Sequence, residues 1–335
     1  MSISMVEVAK GAGVSIATVS RVINGKGGFS EKTRRKVEEV IAELGYQKNE
    51  MASSLKKNFS QSIGVIIPSV VTNYHGLIVE GIESKAQELG YSVLLSHSGE
   101  NGEYFERSLQ SLAERRVEGI IFVSIQPNQL QFDHLIKTNI AHIFISSQST
   151  DFNYPYIKID DYQAAYDATT YLIERGHQKI GMVGIDKKDA VAGIPRIKGY
   201  QQAMMAHELS VKPDWIRHGD FGVEMGEVGA NYLLTRYPDL TAIFGGSDEA
   251  AIGAIKACGK RGLRVPQDIS VSGFDDSMTA LLSFPELTTI HQPLYQMGDM
   301  AVTEIIKKCE SDYEIVSQMV PYKLVERGSV AHKSK

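Results

Sequence analysis

The chain has 335 residues, 43% of them apolar and 22% charged, enough for one large or two to three ordinary domains with buried cores. No stretch is long and apolar enough to span a bilayer, and the first apolar residues are interrupted by Glu7 and Lys10 without a cleavage-like site, so no membrane span or secretory leader is expected. Two cysteines, Cys258 and Cys309, are too few for a disulfide framework and have no metal spacing; buried free thiols in a cytoplasmic protein are the expectation.

The net charge of −5 alone argues against a nucleic-acid binder, but it is unevenly spread. Residues 1–60 hold ten Lys and Arg against six Glu and no Asp, a charge of +4 that leaves −9 on the remainder. A basic head on an acidic body is the asymmetry expected when one end meets phosphate.

Ser4 and Glu7 form a capping-box pattern that predicts a first helix, with Val6, Val8, Ala9 and Ala12 as its apolar side. Gly11 and Gly13 break the run. Ser15 then caps a second short helix whose inward residues are Val19, Val22 and Ile23. Two short helices joined by a tight glycine-containing turn make a helix-turn-helix. The second helix would turn Ile16, Ala17, Thr18, Ser20, Arg21 and Asn24 outward. That mixture suits the major groove, where small apolar groups meet a thymine methyl and hydroxyl, amide and guanidinium groups reach base edges or phosphates. Ser30 predicts a third helix, with Thr33, Arg34, Arg35 and Lys36 in its first turns beside the reading helix and Gly45 at its end. The polar segment Asn49 to Lys57 is too short to stay helical alone and reads as a linker that orders only when held.

From Ser62 the texture changes to alternating strands and helices. Strands are expected at 62–67, 91–96, 119–124 and 142–146, with helices at 76–89, 103–115 and 128–138. The pattern then repeats, with strands at 179–184, 241–246 and 269–274 and helices near 196–207, 223–236 and 248–262. A last helix (294–309) and a strand near Val320 to Val325 complete the chain. This is the β-α-β rhythm of two doubly wound parallel sheets, which implies two facing lobes. Such sheets bind ligands beyond the carboxyl ends of their strands. Those ends carry Ser69, Asn73, Tyr74, His75, Ser96, Ser124, Ser146, Asp186, Ser247, Asp248, Asp275 and Asp276, with Tyr74 and Phe221 as flat walls. Hydroxyls, carboxylates and aromatic faces suit a polyhydroxylated ligand.

Catalytic signatures fail on inspection. GAGVSI (11–16) lacks the third glycine of a dinucleotide fingerprint and lies between helices, and GGSDE (245–249) has Glu249 where a nucleophile elbow needs glycine. No Gly-Lys-Ser/Thr phosphate loop or metal-spaced cluster occurs, so no enzyme, cofactor or metal is expected.

VEVAKGAGVSIATVSRVIN (6–24), SEKTRRKVEEVIAELGYQKN (30–49) and the Ala52–Leu55 pair resemble the DNA-binding head and hinge of the LacI/GalR transcription regulators. The likeness continues through IGVIIP (63–68), RRVEGII (115–121), ERGHQKIGMVG (174–184), SDEAAIGAI (247–255), ISVSGFDDS (269–277) and TTIHQP (288–293). The resemblance implies a small all-α helix-turn-helix head (1–47), a hinge (48–60) and an α/β two-lobed body resembling periplasmic sugar-binding proteins (61–335). Its N-lobe would be about 61–159 and 293–320, and its C-lobe about 162–290 and 322–330, joined by three chain crossings. It further implies a homodimer on a near-palindromic double-stranded operator, read by Ile16, Ala17, Ser20, Arg21 and Asn24, with Ser15, Thr18 and Thr33 on the backbone. Leu55 would wedge into the minor groove beside Ala52. For the effector it implies Tyr74, His75, Ser146, Arg196, Phe221, Asp248 and Asp275, to which the strand-end reading adds Ser247. Ser146 stands where the family often has an acid. The expected function is repression of carbohydrate genes relieved by a sugar or sugar phosphate. A nucleobase-responsive regulator and a sugar-binding protein without DNA function are the alternatives.

Overall fold

The computed structural model describes residues 3–23, 25, 27–46, 60–70 and 73–333, so Asn24, Ala52 and Leu55 lie outside the described residues. The chain divides into two compact units, Met1–Ser60 and Gln61–Lys335.

In the first unit α1 (Met5–Ala12), α2 (Ile16–Ile23) and α3 (Glu31–Leu44) close over Val8, Ala9, Ala12, Val19 and Val37. So small a core leaves much to the helix ends. Ser4 and Glu7 form the reciprocal capping box, with the Ser4 N–H 2.7 Å from Glu7 Oε2. Gly13, at φ 63°, ends α1 in the left-handed region and turns the chain into α2.

The second unit begins at Gln61, whose N–H donates to Glu118 Oε1 at 2.6 Å. β1 (Ser62–Ile67), α4 (Asn73–Glu88), β2 (Ser92–His97), α5 (Phe105–Glu114), β3 (Gly119–Val123), α6 (Gln129–Thr138), β4 (Ala141–Ile145) and β5 (Tyr156–Lys158) build the N-lobe. α7 (Asp161–Glu174), β6 (Ile180–Ile185), α8 (Gly193–Ala206), β7 (Ile216–His218), α9 (Val223–Arg236), β8 (Ala242–Gly245), α10 (Asp248–Lys260), β9 (Ser270–Ser272), α11 (Met278–Leu282) and β10 (Thr289–His291) build the C-lobe. The chain then returns with α12 (Leu294–Glu310) and β11 (Gln318–Met319), and closes with β12 (Lys323–Val325).

The N-lobe sheet runs β11-β5-β4-β3-β1-β2 and the C-lobe sheet β7-β6-β8-β9, every pairing parallel. β3 and β6 are buried along their whole length, as strands covered on both faces must be. In each lobe the first strand lies between the second and the third, so both sheets have a switch point, the place at which sheets of this kind bind ligands beyond their strand ends. α7, absent from the sequence expectation, packs on α8. The strand expected near 320–325 divides: β11 joins the N-lobe sheet, while β12 pairs antiparallel with β10. The chain thus crosses between lobes after Lys158, after His291 and after Met319. α12 returns to the N-lobe against α4, and the two helices approach so closely at Gly81 and Gly298 that a Cβ on either would strike a backbone carbonyl of the other.

Among the described residues no helix is long and apolar enough to cross a membrane. Cys258 and Cys309 are free thiols.

Candidate functional site

In the head, Ile16 is 49% exposed although it is apolar, and Ala17 and Arg21 are exposed beside it. Thr18 and Ser20 are half-buried. Ser15 Oγ accepts the Thr18 N–H at 3.1 Å and lies 2.9 Å from the Thr18 hydroxyl, so this pair caps α2. Ser30 and Thr33 repeat the arrangement on α3, their hydroxyls 2.9 Å apart. α2 therefore presents methyl groups and a guanidinium to solvent while the Ser15 and Thr18 hydroxyls hold its first turn.

In the body, the crevice residues stand at strand ends whose backbone is unusual. Ser124 (φ 53°), Ser146 (51°), Phe221 (67°), Asp275 (119°) and Asp276 (58°) are all non-glycine residues at positive φ. Five such residues at the ends of two sheets place backbone strain where a ligand would bind, a common association at functional sites. On the N-lobe side the Tyr74 hydroxyl donates to Ser146 Oγ at 2.5 Å, and the Tyr74 ring meets His75 edge-on with centroids 5.5 Å apart. Burial raises the Tyr74 phenol well above its ordinary value and the nearby Asp275 carboxylate adds to the shift, so the hydroxyl keeps its proton. Burial pushes His75 down to about 4, which keeps the imidazole neutral at pH 7.

The C-lobe side carries charge. Arg196, in the first turn of α8, is 4% exposed. Its Nε and Nη2 converge on Asp161 Oδ1 at 3.0 and 2.9 Å, and its Nη1 donates to the Gly246 carbonyl at 2.7 Å. Lys158, the last residue of β5, lies 3.2 Å from the other Asp161 oxygen. The guanidinium also stacks over Phe274, 3.6 Å from its ring centroid, and lies 5.8 Å from that of Phe221. Burial works against its charge, but Asp161 and Asp275 outweigh it and raise its pKa. Asp275 Oδ1 stands 3.9 Å from Arg196 Nη1, beyond hydrogen-bond reach, and accepts from Gln292 Nε2 at 2.7 Å. Burial pushes the Asp275 carboxyl well above the usual range despite Arg196.

Ser247 and Asp248 are engaged within the protein. Ser247 caps α10 and donates to the Phe221 carbonyl at 2.5 Å. Asp248 accepts from Thr289 Oγ1 at 2.5 Å and from the Ser277 N–H and hydroxyl at 2.7 and 2.9 Å. Both shape the wall that carries Phe221 and Asp275. Burial nevertheless lifts Asp248 to about 6 against the pull of those three bonds. One bond spans the rim, from Gln126 Nε2 to Asp189 Oδ1 at 3.3 Å.

Lys158, Asp161 and Gln292 escaped the sequence reading as site residues. A lysine and an aspartate inside the apolar run YIKID (156–160) and its continuation were the available signal, since charges are rarely buried unless paired.

A helix-turn-helix unit followed by a two-lobed body with a polar, strained crevice at its strand ends defines a ligand-responsive DNA-binding regulator. The profile for periplasmic binding proteins and sugar binding domain of LacI family matches residues 60–325, and that for bacterial regulatory proteins, lacI family, matches residues 4–49. The chain belongs to the LacI family of transcriptional regulators and is not an enzyme. It is 33% identical over 332 residues to catabolite control protein A of Priestia megaterium, covering 98% of this chain and 99% of that protein. It is 37% identical over 330 residues to the HTH-type transcriptional repressor PurR of Serratia proteamaculans (strain 568), covering 97% and 96%. Among solved structures, the Lac repressor dimer bound to operator and the anti-inducer ONPF matches with a TM-score of 0.87 at 29% identity, covering 99% of this chain and 100% of that one.

Proposed function

We propose that this regulator is a cytoplasmic repressor of carbohydrate uptake or catabolism genes that binds a palindromic operator as a homodimer and is released by a sugar. The observation that carries the reading is the 3.9 Å separation between Arg196 and Asp275, too long for a hydrogen bond. A guanidinium donor and a carboxyl acceptor, each anchored from behind, converge there outside hydrogen-bond reach, opposite the Tyr74 and Ser146 hydroxyls. Vicinal hydroxyls, which donate and accept at once, fill such a gap, while Phe221 covers the C–H face of a sugar ring. The sugar-binding description of the matched body profile supports the same reading.

On the DNA side, Ile16, Ala17, Ser20, Arg21 and Asn24 read base edges, with Ser15, Thr18 and Thr33 on the backbone. Ala52 and Leu55 of the hinge complete the reader in the minor groove. The effector acts by binding the DNA-incompetent lobe arrangement better; equal affinity for both arrangements would regulate nothing. A nucleobase is the second reading, favoured by the aromatic pair Tyr74 and Phe221, which could stack on a planar ring.

The test has two arms. Purified protein is used to select sites from a random duplex pool, and the recovered site is expected to be two-fold symmetric and bound with steep salt dependence. Neutral sugars and nucleobases are then screened by thermal shift and for release of the selected duplex. No preference over random duplex would sink the DNA reading, and release by a nucleobase alone would replace the sugar.

A further inference from the structure

We infer that Asp161 sets the charge selectivity of the crevice: by engaging Arg196 and Lys158 together, it makes the site accept an uncharged, hydroxyl-rich ligand and refuse the phosphate ester of the same ligand. The inference rests on the reading of the crevice as the effector site and narrows it.

Arg196 is the cation placed to meet a ligand, and it is already committed. Two of its nitrogens converge on Asp161, the third donates to the Gly246 carbonyl, and Phe274 covers one face of the guanidinium. A phosphate is held best by two parallel N–H···O bonds in the guanidinium plane. The edge made by Nε and Nη2, one of the two that could offer that fork, is the edge Asp161 occupies, and Gly246 takes a donor of Nη1 on the other. Lys158 cannot substitute, because its ammonium is directed to the other Asp161 oxygen and the side chain is 5% exposed. Three of the five guanidinium N–H groups are used by Asp161 and Gly246, and Nη1 lies 3.9 Å from the Asp275 carboxyl, which competes with an incoming anion for it. Asp161 offsets one of the two buried cations and engages both, so at most one positive charge is left to offset the desolvation of a phosphate. On the N-lobe side the crevice offers the Tyr74 and Ser146 hydroxyls and a neutral His75, none of them cationic. Hydroxyl groups suit this set, since they can donate to Asp275 and accept from Nη1 together.

The experiment uses the full-length chain and measures thermal shifts at matched ionic strength. The probes are glucose with glucose 6-phosphate, ribose with ribose 5-phosphate, fructose with fructose 6-phosphate, and inorganic phosphate alone. For wild type, a neutral sugar is expected to bind at least tenfold tighter than its ester, and inorganic phosphate is expected to give no shift beyond the salt control. Asp161→Asn, which leaves the guanidinium charge unspent, is expected to move the ester-to-sugar ratio at least tenfold toward the ester and to acquire a phosphate-dependent shift. Because that variant strands two buried cations, Lys158→Met combined with Asp161→Asn provides a second background with one cation fewer. A wild type that binds the ester as well as the sugar overturns the inference, as does an unchanged ratio in a folded Asp161 variant. If no sugar binds in either form, the sugar reading fails and inorganic phosphate decides the charge question. Stabilisation of wild type that Arg196→Ala abolishes overturns the inference, and no stabilisation of wild type supports it.

Discussion

The two lobes share one plan and furnish their strand ends differently. Each is a parallel sheet with the first strand inserted between the second and third. The N-lobe places neutral groups at the crevice, the Tyr74 and Ser146 hydroxyls and an uncharged His75. The C-lobe places Arg196, Asp161, Asp248 and Asp275 there, all buried. Neutral hydroxyls cost little to desolvate and can exchange partners cheaply, whereas buried charges persist only when paired. One wall is therefore adaptable and the other fixed, and a ligand must conform to the fixed one.

That contrast sets an order of effects. Asp161→Ala strands two buried cations and is expected to cost about 3–5 kcal/mol of body stability in urea unfolding; a loss below about 1 kcal/mol would mean that the charged wall is not tightly paired. Asp248 gives a pH signature. Burial lifts it to about 6 in the folded chain, against an ordinary value of about 3.9, so between those values the folded state holds the proton more tightly. The stability that proton contributes is present below about pH 4 and is lost as pH rises through 6. The stability of wild type minus that of Asp248→Asn is thus expected to fall by about 2 kcal/mol from pH 4 to pH 7, and a flat difference would remove the argument. Tyr74→Phe deletes one neutral hydrogen bond and is expected to cost about 1 kcal/mol; a cost equal to that of Asp161→Ala would erase the contrast between the walls. Gln126→Ala breaks only the exposed rim bond to Asp189, with an expected effect of about 0.5 kcal/mol or less on unfolding, although the lobes should open more readily by small-angle scattering.

Much of this was legible in the sequence because it depends on local rules. Ser4, Ser15 and Ser30 announce the three head helices, and the apolar runs at 62–67, 119–124 and 179–184 announce strands covered on both faces. Tyr74, Ser146 and Asp275 are legible as residues near strand ends because each follows an apolar run that marks a buried strand. What escaped depends on long-range neighbours. α7 carries Ala, Thr and Tyr in a pattern without a sharp apolar stripe, and it is fixed by close packing on α8. β10 and β12 are three-residue strands that exist because they meet each other across more than thirty residues. Ser247 and Asp248 looked like ligand groups, yet their partners Phe221, Ser277 and Thr289 are distant in sequence, so nothing local revealed that these atoms were engaged. The Asp161 bridge is of the same kind, since it forms only where the chain passes between lobes.

The three crossings also bear on how this molecule can be damaged. Neither lobe is a contiguous stretch of gene. A stop codon just after Ser311 would strip β11 from one sheet and β12 from its pairing with β10. It would also delete the segment in which Ser329, Ala331 and Lys333 hydrogen-bond to Val271, Ser270 and Arg175. A short deletion at one end of the reading frame would thus injure both lobes at once. A single proteolytic nick at one crossing would leave them joined by the other two, so the fold is vulnerable to truncation and resistant to cutting.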